Sequence, residues 1–104
     1  MSWILEYDPA VLKDLKRIDR QDQRFILDSL EKFAKNYSKA YASSLLRTGR
    51  LKRLQGEWKG FNRLRLRSYR AIFREYAGRL VILVVRVGHR RDVYEQGHRR
   101  EVYR

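Results

Sequence analysis

A chain of 104 residues with 25 Lys+Arg, 12 Asp+Glu and a formal net charge of +13 reads as one small basic domain over residues 1–104, and its 43% hydrophobic content argues against wholesale disorder. The absence of cysteine and the presence of only two histidines exclude disulfide frameworks, thiolate metal sites and cysteine nucleophiles, and argue against a histidine-rich metal centre, so no cofactor and no metal are expected. The longest apolar run, residues 80–85, is six residues, far below the roughly 20 that cross a bilayer, and the first residues lack the pattern of a signal peptide. The expectation is a cytoplasmic protein with an anionic partner and no membrane contact.

Residues 2–7 read as a short strand. Asp8-Pro9 follows as a helix start, because Asp8 can cap and proline suits the first helical position, where its missing N–H has no partner to lose. Val11, Leu12, Leu15 and Ile18 recur at helical spacing. Asp19 or Asp22 can cap a second helix, whose apolar set is Ile26, Leu27, Leu30, Phe33, Ala34 and Tyr37. The short link predicts a helical hairpin. Residues 38–50 are ambiguous: Tyr41, Leu45 and Leu46 give at most a helical turn, which Gly49 can end.

The remainder reads as sheet. Strands are expected over residues 51–54, 61–67, 69–76 and 79–87, with a tight turn at Ser68 and another at Ala77-Gly78. The last is nearly continuously apolar and so is expected to be central and covered on both faces. A helix is expected within residues 92–104. The fold class is therefore α+β: an N-terminal strand and helical hairpin packed on a four-stranded antiparallel sheet, with a C-terminal helix. A short echo also occurs there, since the HRRDVY of residues 89–94 returns as HRREVY at 98–103.

Charge is unevenly placed. Residues 1–46 hold 8 basic and 7 acidic side chains, whereas residues 47–104 hold 17 and 5, and 15 of those 17 are arginine. Arginine suits bidentate phosphate contact and base stacking. Strand alternation sends Leu64 and Leu66 toward the core and Arg63, Arg65 and Arg67 to the other face, about 6.5–7 Å apart, with Arg70 beginning the next strand. Phe61 and Tyr69 are expected near this row, an arrangement that suits single-stranded RNA. The exit of the last strand can bring Arg90 and Tyr94 toward it. A tyrosine among guanidinium groups has its phenolate favoured and can act as a general base, or it is a core-edge tyrosine with its hydroxyl in water.

Three runs, LQG at residues 54–56, FNRLRLRSYRAIF at 61–73 and VRVGHRRDVY at 85–94, together with the helical stretch AVLKDLKRI at 10–18, resemble the RelE/ParE toxin superfamily of type II toxin–antitoxin systems, RelE-like branch. The resemblance spans residues 2–94. It implies a ribosome-dependent mRNA endoribonuclease without a metal, in which the 2′-hydroxyl of the mRNA attacks the next phosphate and translation stops. The family's basic and tyrosine positions match Arg63, Arg65, Arg70, Arg90 and Tyr94 here. Arginines stand at 63 and 65 where RelE has lysines, and His89 stands where RelE has a basic side chain. In this reading Tyr94 is the base, Arg63 and Arg70 stabilise the pentacoordinate phosphate, and Arg90 sits near the leaving oxygen. His89, or a water ordered by Arg65, is the acid, because a guanidinium gives up its proton poorly. Lys52, Arg53, Arg67 and Arg91 are expected to bind RNA. The implied partners are a cognate acidic antitoxin, the ribosome and mRNA in the A site. The alternatives are a ParE-like non-catalytic inhibitor of gyrase and a plain RNA-binding protein.

Overall fold

The computed structural model describes residues 3–93. The C-terminal helix expected within 92–104, the echo at 98–103 and Tyr94 lie outside these residues, Val93 being the last one described.

The chain opens with β1 (Ile4–Tyr7) and turns into α1 (Pro9–Leu15). Asp8 caps α1 by accepting from the Ala10 N–H at 2.9 Å, with Pro9 inside the first turn. Asp19 caps α2 (Arg20–Lys35) through the Asp22 N–H at 3.0 Å. On α2, Ile26, Leu30, Phe33 and Ala34 recur at i, i+4, i+7 and i+8 and are all buried. The ambiguous stretch forms a full third helix, α3 (Lys39–Thr48), capped by Ser38 and ended by Gly49 at φ 80°. That left-handed conformation is open to glycine without steric cost. Leu12, expected in the apolar stripe of α1, is 63% exposed; Val11, Asp14 and Leu15 face inward instead.

The sheet is five-stranded, in the order β1-β5-β4-β3-β2, with β2 (Leu51–Arg53), β3 (Asn62–Leu66), β4 (Tyr69–Tyr76) and β5 (Val81–His89). The expected four-stranded antiparallel sheet is thus extended: β1 joins it as a fifth strand, parallel to β5. The α+β class is unchanged, with β2 to β5 forming the antiparallel meander.

One face of the sheet carries the helices. The core between them unites Ile26, Leu30 and Phe33 with Leu51, Leu64, Leu66, Ala71, Phe73, Val84 and Val87. Each such aliphatic or phenyl side chain contributes about 1.5–3 kcal/mol on full burial. The opposite face has a smaller apolar cluster of Ile72, Val85 and Val93, edged by Leu54, Trp58, Phe61 and Leu83. As the continuous apolar run required, β5 is buried on both sides.

A β-bulge interrupts the β4–β5 ladder: Ile72 pairs with Arg86 and Phe73 with Val84, leaving Val85 as the additional residue. Val84 lies in the helix-side core and Val85 in the outer cluster. Past the bulge, Arg86 and Val87 both turn to the helix side, where Arg86 meets Asp14 of α1. The Asp14 carboxylate accepts from Arg86 Nε at 2.8 Å, Arg86 Nη2 at 2.7 Å and the Val87 N–H at 3.0 Å. Both side chains are buried, and the fork-to-fork geometry offsets the cost of removing two charges from water.

Two tyrosine–carboxylate bonds fasten α2 across β4. Tyr69 donates to Asp22 at 2.6 Å near the start of the helix, and Tyr37, just past its end, donates to Glu75 at 2.5 Å. Six strand steps between residues 69 and 75 span about 20 Å, close to the roughly 22 Å of helical rise between residues 22 and 37.

Candidate nucleic-acid interface

The arginine row is built by β3 and β4. Leu64 and Leu66 are buried, Arg63 is half-buried and Arg65 is exposed, as alternation requires. Arg65 lies directly opposite Arg70, and Arg70 lies directly opposite Gly88 on β5. Directly opposed residues have Cα atoms about 4.5–5.5 Å apart, so two cations share one small area. The Arg65 side chain has no hydrogen bond or acidic partner among the described residues, its backbone N–H donating to the Arg50 carbonyl at 2.8 Å. Arg70 Nη1 donates to the carbonyls of Arg67 at 2.8 Å and Tyr69 at 2.9 Å. The Arg90 N–H donates to the Ser68 carbonyl at 2.9 Å, which brings the turn after β5 against the β3–β4 turn. Arg65, Arg70 and Arg90 therefore converge at one end of the sheet.

Arg63 is engaged differently. Its Nη2 donates to the Gly49 carbonyl at 2.5 Å, so it satisfies the end of α3. Its Nε is buried without a hydrogen-bond partner among the described residues.

Two residues expected to bind RNA turn away from the outer face. Arg67 occupies the two-residue turn between Leu66 and Tyr69 at φ 58°. From there its guanidinium stacks over Phe25 of α2, 3.8 Å from the ring centroid, instead of extending the row of Arg63 and Arg65. Left-handed backbone costs a non-glycine residue about 1–2 kcal/mol, which this stacking partly offsets. Arg53 also faces the helix side, where Nη1 contacts Asn62 Oδ1 and Glu75 Oε1, each at 2.8 Å. Lys52, one residue earlier, is exposed opposite Arg63.

Tyr69 likewise belongs to the helix side. Its bond to Asp22, helped by burial, pushes its hydroxyl up to about 12. Tyr37 is raised by burial first and its bond to Glu75 second. The His89 ring stands edge-on to Tyr69, centroids 6.0 Å apart, away from the face of Arg65 and Arg70. His89 Nδ1 accepts from the Arg91 N–H at 3.3 Å, leaving Nε2 as the ring's donor when neutral. Arg90, Arg91 and Asp92 form an exposed turn.

Phe61, on the outer face as expected, meets Trp58 edge-on at 5.5 Å, with Arg74 5.4 Å from its centroid. A groove between β1 and α2, lined by Trp3, Leu5, Tyr7, Arg24, Leu27 and Glu31 among others, lies on the helix side. Burial, reinforced by Glu31, raises Tyr7 to about 12. Among the described residues no three His, Cys, Asp or Glu side chains come together to hold a metal, and no helix is long and apolar enough to cross a membrane.

Three helices packed on a five-stranded mixed sheet match the fold of RelE-like toxins. The free Escherichia coli toxin RelE carrying two arginine-to-alanine substitutions superimposes with a TM-score of 0.65 at 20% identity, over 96% of this chain and 98% of that one. The archaeal RelE–RelB complex from Pyrococcus horikoshii gives 0.63 at 20% identity over 86% and 97%. The RelBE2 toxin–antitoxin complex from Mycobacterium tuberculosis gives 0.59 at 22% identity over 86% and 100%. No curated protein sequence matches the chain. Residues 5–94 match the family of ParE toxins of type II toxin–antitoxin systems (parDE), and the chain belongs to that family, within the RelE/ParE superfamily.

Proposed function

We propose that this toxin is a metal-independent endoribonuclease that cuts mRNA on the ribosome, and that the convergence of Arg65, Arg70 and Arg90 is its phosphate-binding centre. The observation that carries this reading is the cross-strand pair Arg65–Arg70 beside the Arg90 turn. Opposed like charges cost stability and are favoured only when an anion sits between them.

The chemistry needs little from the protein beyond charge and one base. The mRNA 2′-hydroxyl gives its proton to a base, for which Tyr94 is the candidate, and its oxygen attacks the adjacent phosphorus. Arg65 and Arg70 neutralise the charge growing on the non-bridging oxygens. The 5′-oxygen leaves, taking a proton from water ordered near Arg90, and the products are a 2′,3′-cyclic phosphate and a 5′-hydroxyl. Arg63, tied to Gly49, contributes field rather than direct contact. The side on which His89 stands argues against it as the acid. Alignment of the attacking and leaving oxygens falls to the ribosome. The place of action is then the cytoplasm. The cognate partner is an acidic antitoxin drawn to the basic second half of the chain, in keeping with the antitoxin-bound forms of the similar toxins.

The test is a reconstituted translation reaction with the full chain and 5′-end mapping of the message. Cleavage within translated codons, lost in Arg70→Ala and blocked by a 2′-deoxy residue at the cut, is expected. The second reading, a gyrase-directed toxin, is favoured by the parDE description of the matched family. Intact mRNA with gyrase-dependent DNA breaks would establish it instead.

A further inference from the structure

We propose that Asp22 and Tyr69 are positioning residues for Arg70, so that the first turn of α2, on the face of the sheet away from the RNA, sets the geometry of the phosphate site. The inference rests on the nuclease reading and deepens it.

The hydrogen bonds lead outward from Arg70. Its Nη1 is held by two carbonyls, of Arg67 and Tyr69, both in or beside the β3–β4 turn. The guanidinium is therefore tied through Nη1 to the shape of that turn. The turn has no glycine, and Arg67 adopts φ 58°, a conformation that an L side chain resists. Left alone, a two-residue turn of Arg-Ser would sample other shapes, and the carbonyls would swing with it. Two contacts to α2 hold it. Phe25 lies under the Arg67 guanidinium at 3.8 Å, and Asp22 accepts from the Tyr69 hydroxyl at 2.6 Å. Asp22 and Phe25 stand three residues apart on α2, so they present one face to the turn. Asp22 is itself fixed, because its N–H donates to the Asp19 cap. The chain of contacts runs from helix cap to Asp22, to Tyr69, to the turn carbonyls and to Arg70. A third tie, Arg90 N–H to Ser68, sets the neighbouring arginine against the same turn.

The molecule contains its own control. Tyr37–Glu75 is the same type of bond at the other end of α2, beside Arg53 and away from Arg70. Removing either hydroxyl takes one helix-to-sheet bond, yet only Tyr69 leads to Arg70.

The experiment compares Tyr69→Phe, Tyr37→Phe, Asp22→Ala and Asp22→Asn in translation-coupled cleavage by the full chain, with melting temperature measured in parallel. Displacement of a charge-stabilising group by about 1 Å costs up to about a hundredfold in rate. Tyr69→Phe and Asp22→Ala are expected to lower kcat at least about tenfold with KM within about twofold. Asp22→Asn, which keeps an acceptor oxygen, restores most of the rate. Tyr37→Phe lowers the melting temperature but leaves kcat unchanged. Equal kcat in Tyr69→Phe and wild type, or equal losses in Tyr69→Phe and Tyr37→Phe, overturns the proposal. Arg70→Ala with wild-type cleavage would overturn the role of Arg70 in the nuclease reading instead. The positioning claim is then read without activity, from the nitrogen-15 signals of the Arg70 guanidinium. Separate Nη signals that merge in Tyr69→Phe support it, and signals unchanged between the two proteins refute it.

Discussion

Replacing Arg65 by glutamine should make the free toxin more stable and, on the proposed nuclease function, lower its cleavage of mRNA. Arg65 and Arg70 are opposed across the β3–β4 ladder, and Arg65 is exposed without an acidic partner among the described residues. Two unit charges about 6 Å apart in water repel by ~0.7 kcal/mol. Screening at 0.15 M salt, where the Debye length is about 8 Å, reduces this to ~0.3 kcal/mol, whereas at 0.01 M it stays near ~0.6 kcal/mol. For a domain of this size 1 kcal/mol shifts the melting temperature by about 4–8 °C. Arg65→Gln keeps most of the aliphatic stem and so isolates the charge. Its melting temperature should exceed that of wild type by about 2–5 °C at 10 mM salt, by about 1–2 °C at 150 mM, and not at all at 1 M. Scanning calorimetry at the three salt concentrations reads this directly, and cleavage measured beside it should fall. A variant no more stable at 10 mM, or a gain that survives 1 M salt, would refute the claim that Arg65 and Arg70 repel each other across the ladder.

Other outcomes follow from the same contacts. Asp14→Asn takes the carboxylate charge away from the buried Arg86 and should cost up to about 3–5 kcal/mol in urea denaturation at constant m-value, while Asp14→Leu with Arg86→Met recovers part of that. Tyr69 titrates at about 12 when folded, against about 10 when unfolded, so its protonated form stabilises the fold below pH 10 and that contribution is lost as pH rises through about 12. The stability gap between wild type and Tyr69→Phe, followed by thermal melts from pH 9 to 11.5, should therefore narrow toward the alkaline end. Gly49→Ala puts a Cβ on a residue at φ 80° and should cost about 1 kcal/mol by the same denaturation assay.

The first two helices and the meander were legible because their signals are local. Asp8-Pro9, the period of α2 and the strict alternation of β3 each determine structure within a few residues. The parallel pairing of β1 with β5 was not, since it joins residues 4–7 to 81–84 and nothing in either run names the other. Arg67 misled because alternation holds only while the strand lasts. The chain leaves β3 at Leu66, and the next side chain is aimed by the turn and by Phe25. Arg53 misled for a different reason: its parity was readable, but a basic residue on the helix side needs a carboxylate, and Glu75 lies 22 residues away. The Asp14–Arg86 pair left a trace that could have been read. An acid between Val11 and Leu15 on the inward face of α1, and a single arginine within an apolar strand, each demand a buried partner. Of the candidate site, the sequence displayed the cations and concealed what holds them, because the ties from Arg63 to Gly49 and from Arg70 to the turn run to backbone carbonyls, which no residue type advertises.

The bulge at Val85 governs how this chain can be matched to others. It inserts one residue between the parts of β5 that face Phe73 and Ile72, so everything after it is displaced by one position relative to an unbroken strand. A relative whose strand runs without the bulge must be given a one-residue gap between positions 84 and 87. Without that gap, Gly88 would take the place of His89 opposite Tyr69, and His89 would take the place of Arg90. The frame of reference for the strand is the ladder itself, Arg70 against Gly88 and Tyr69 against His89, and roles after it are counted from those two pairs.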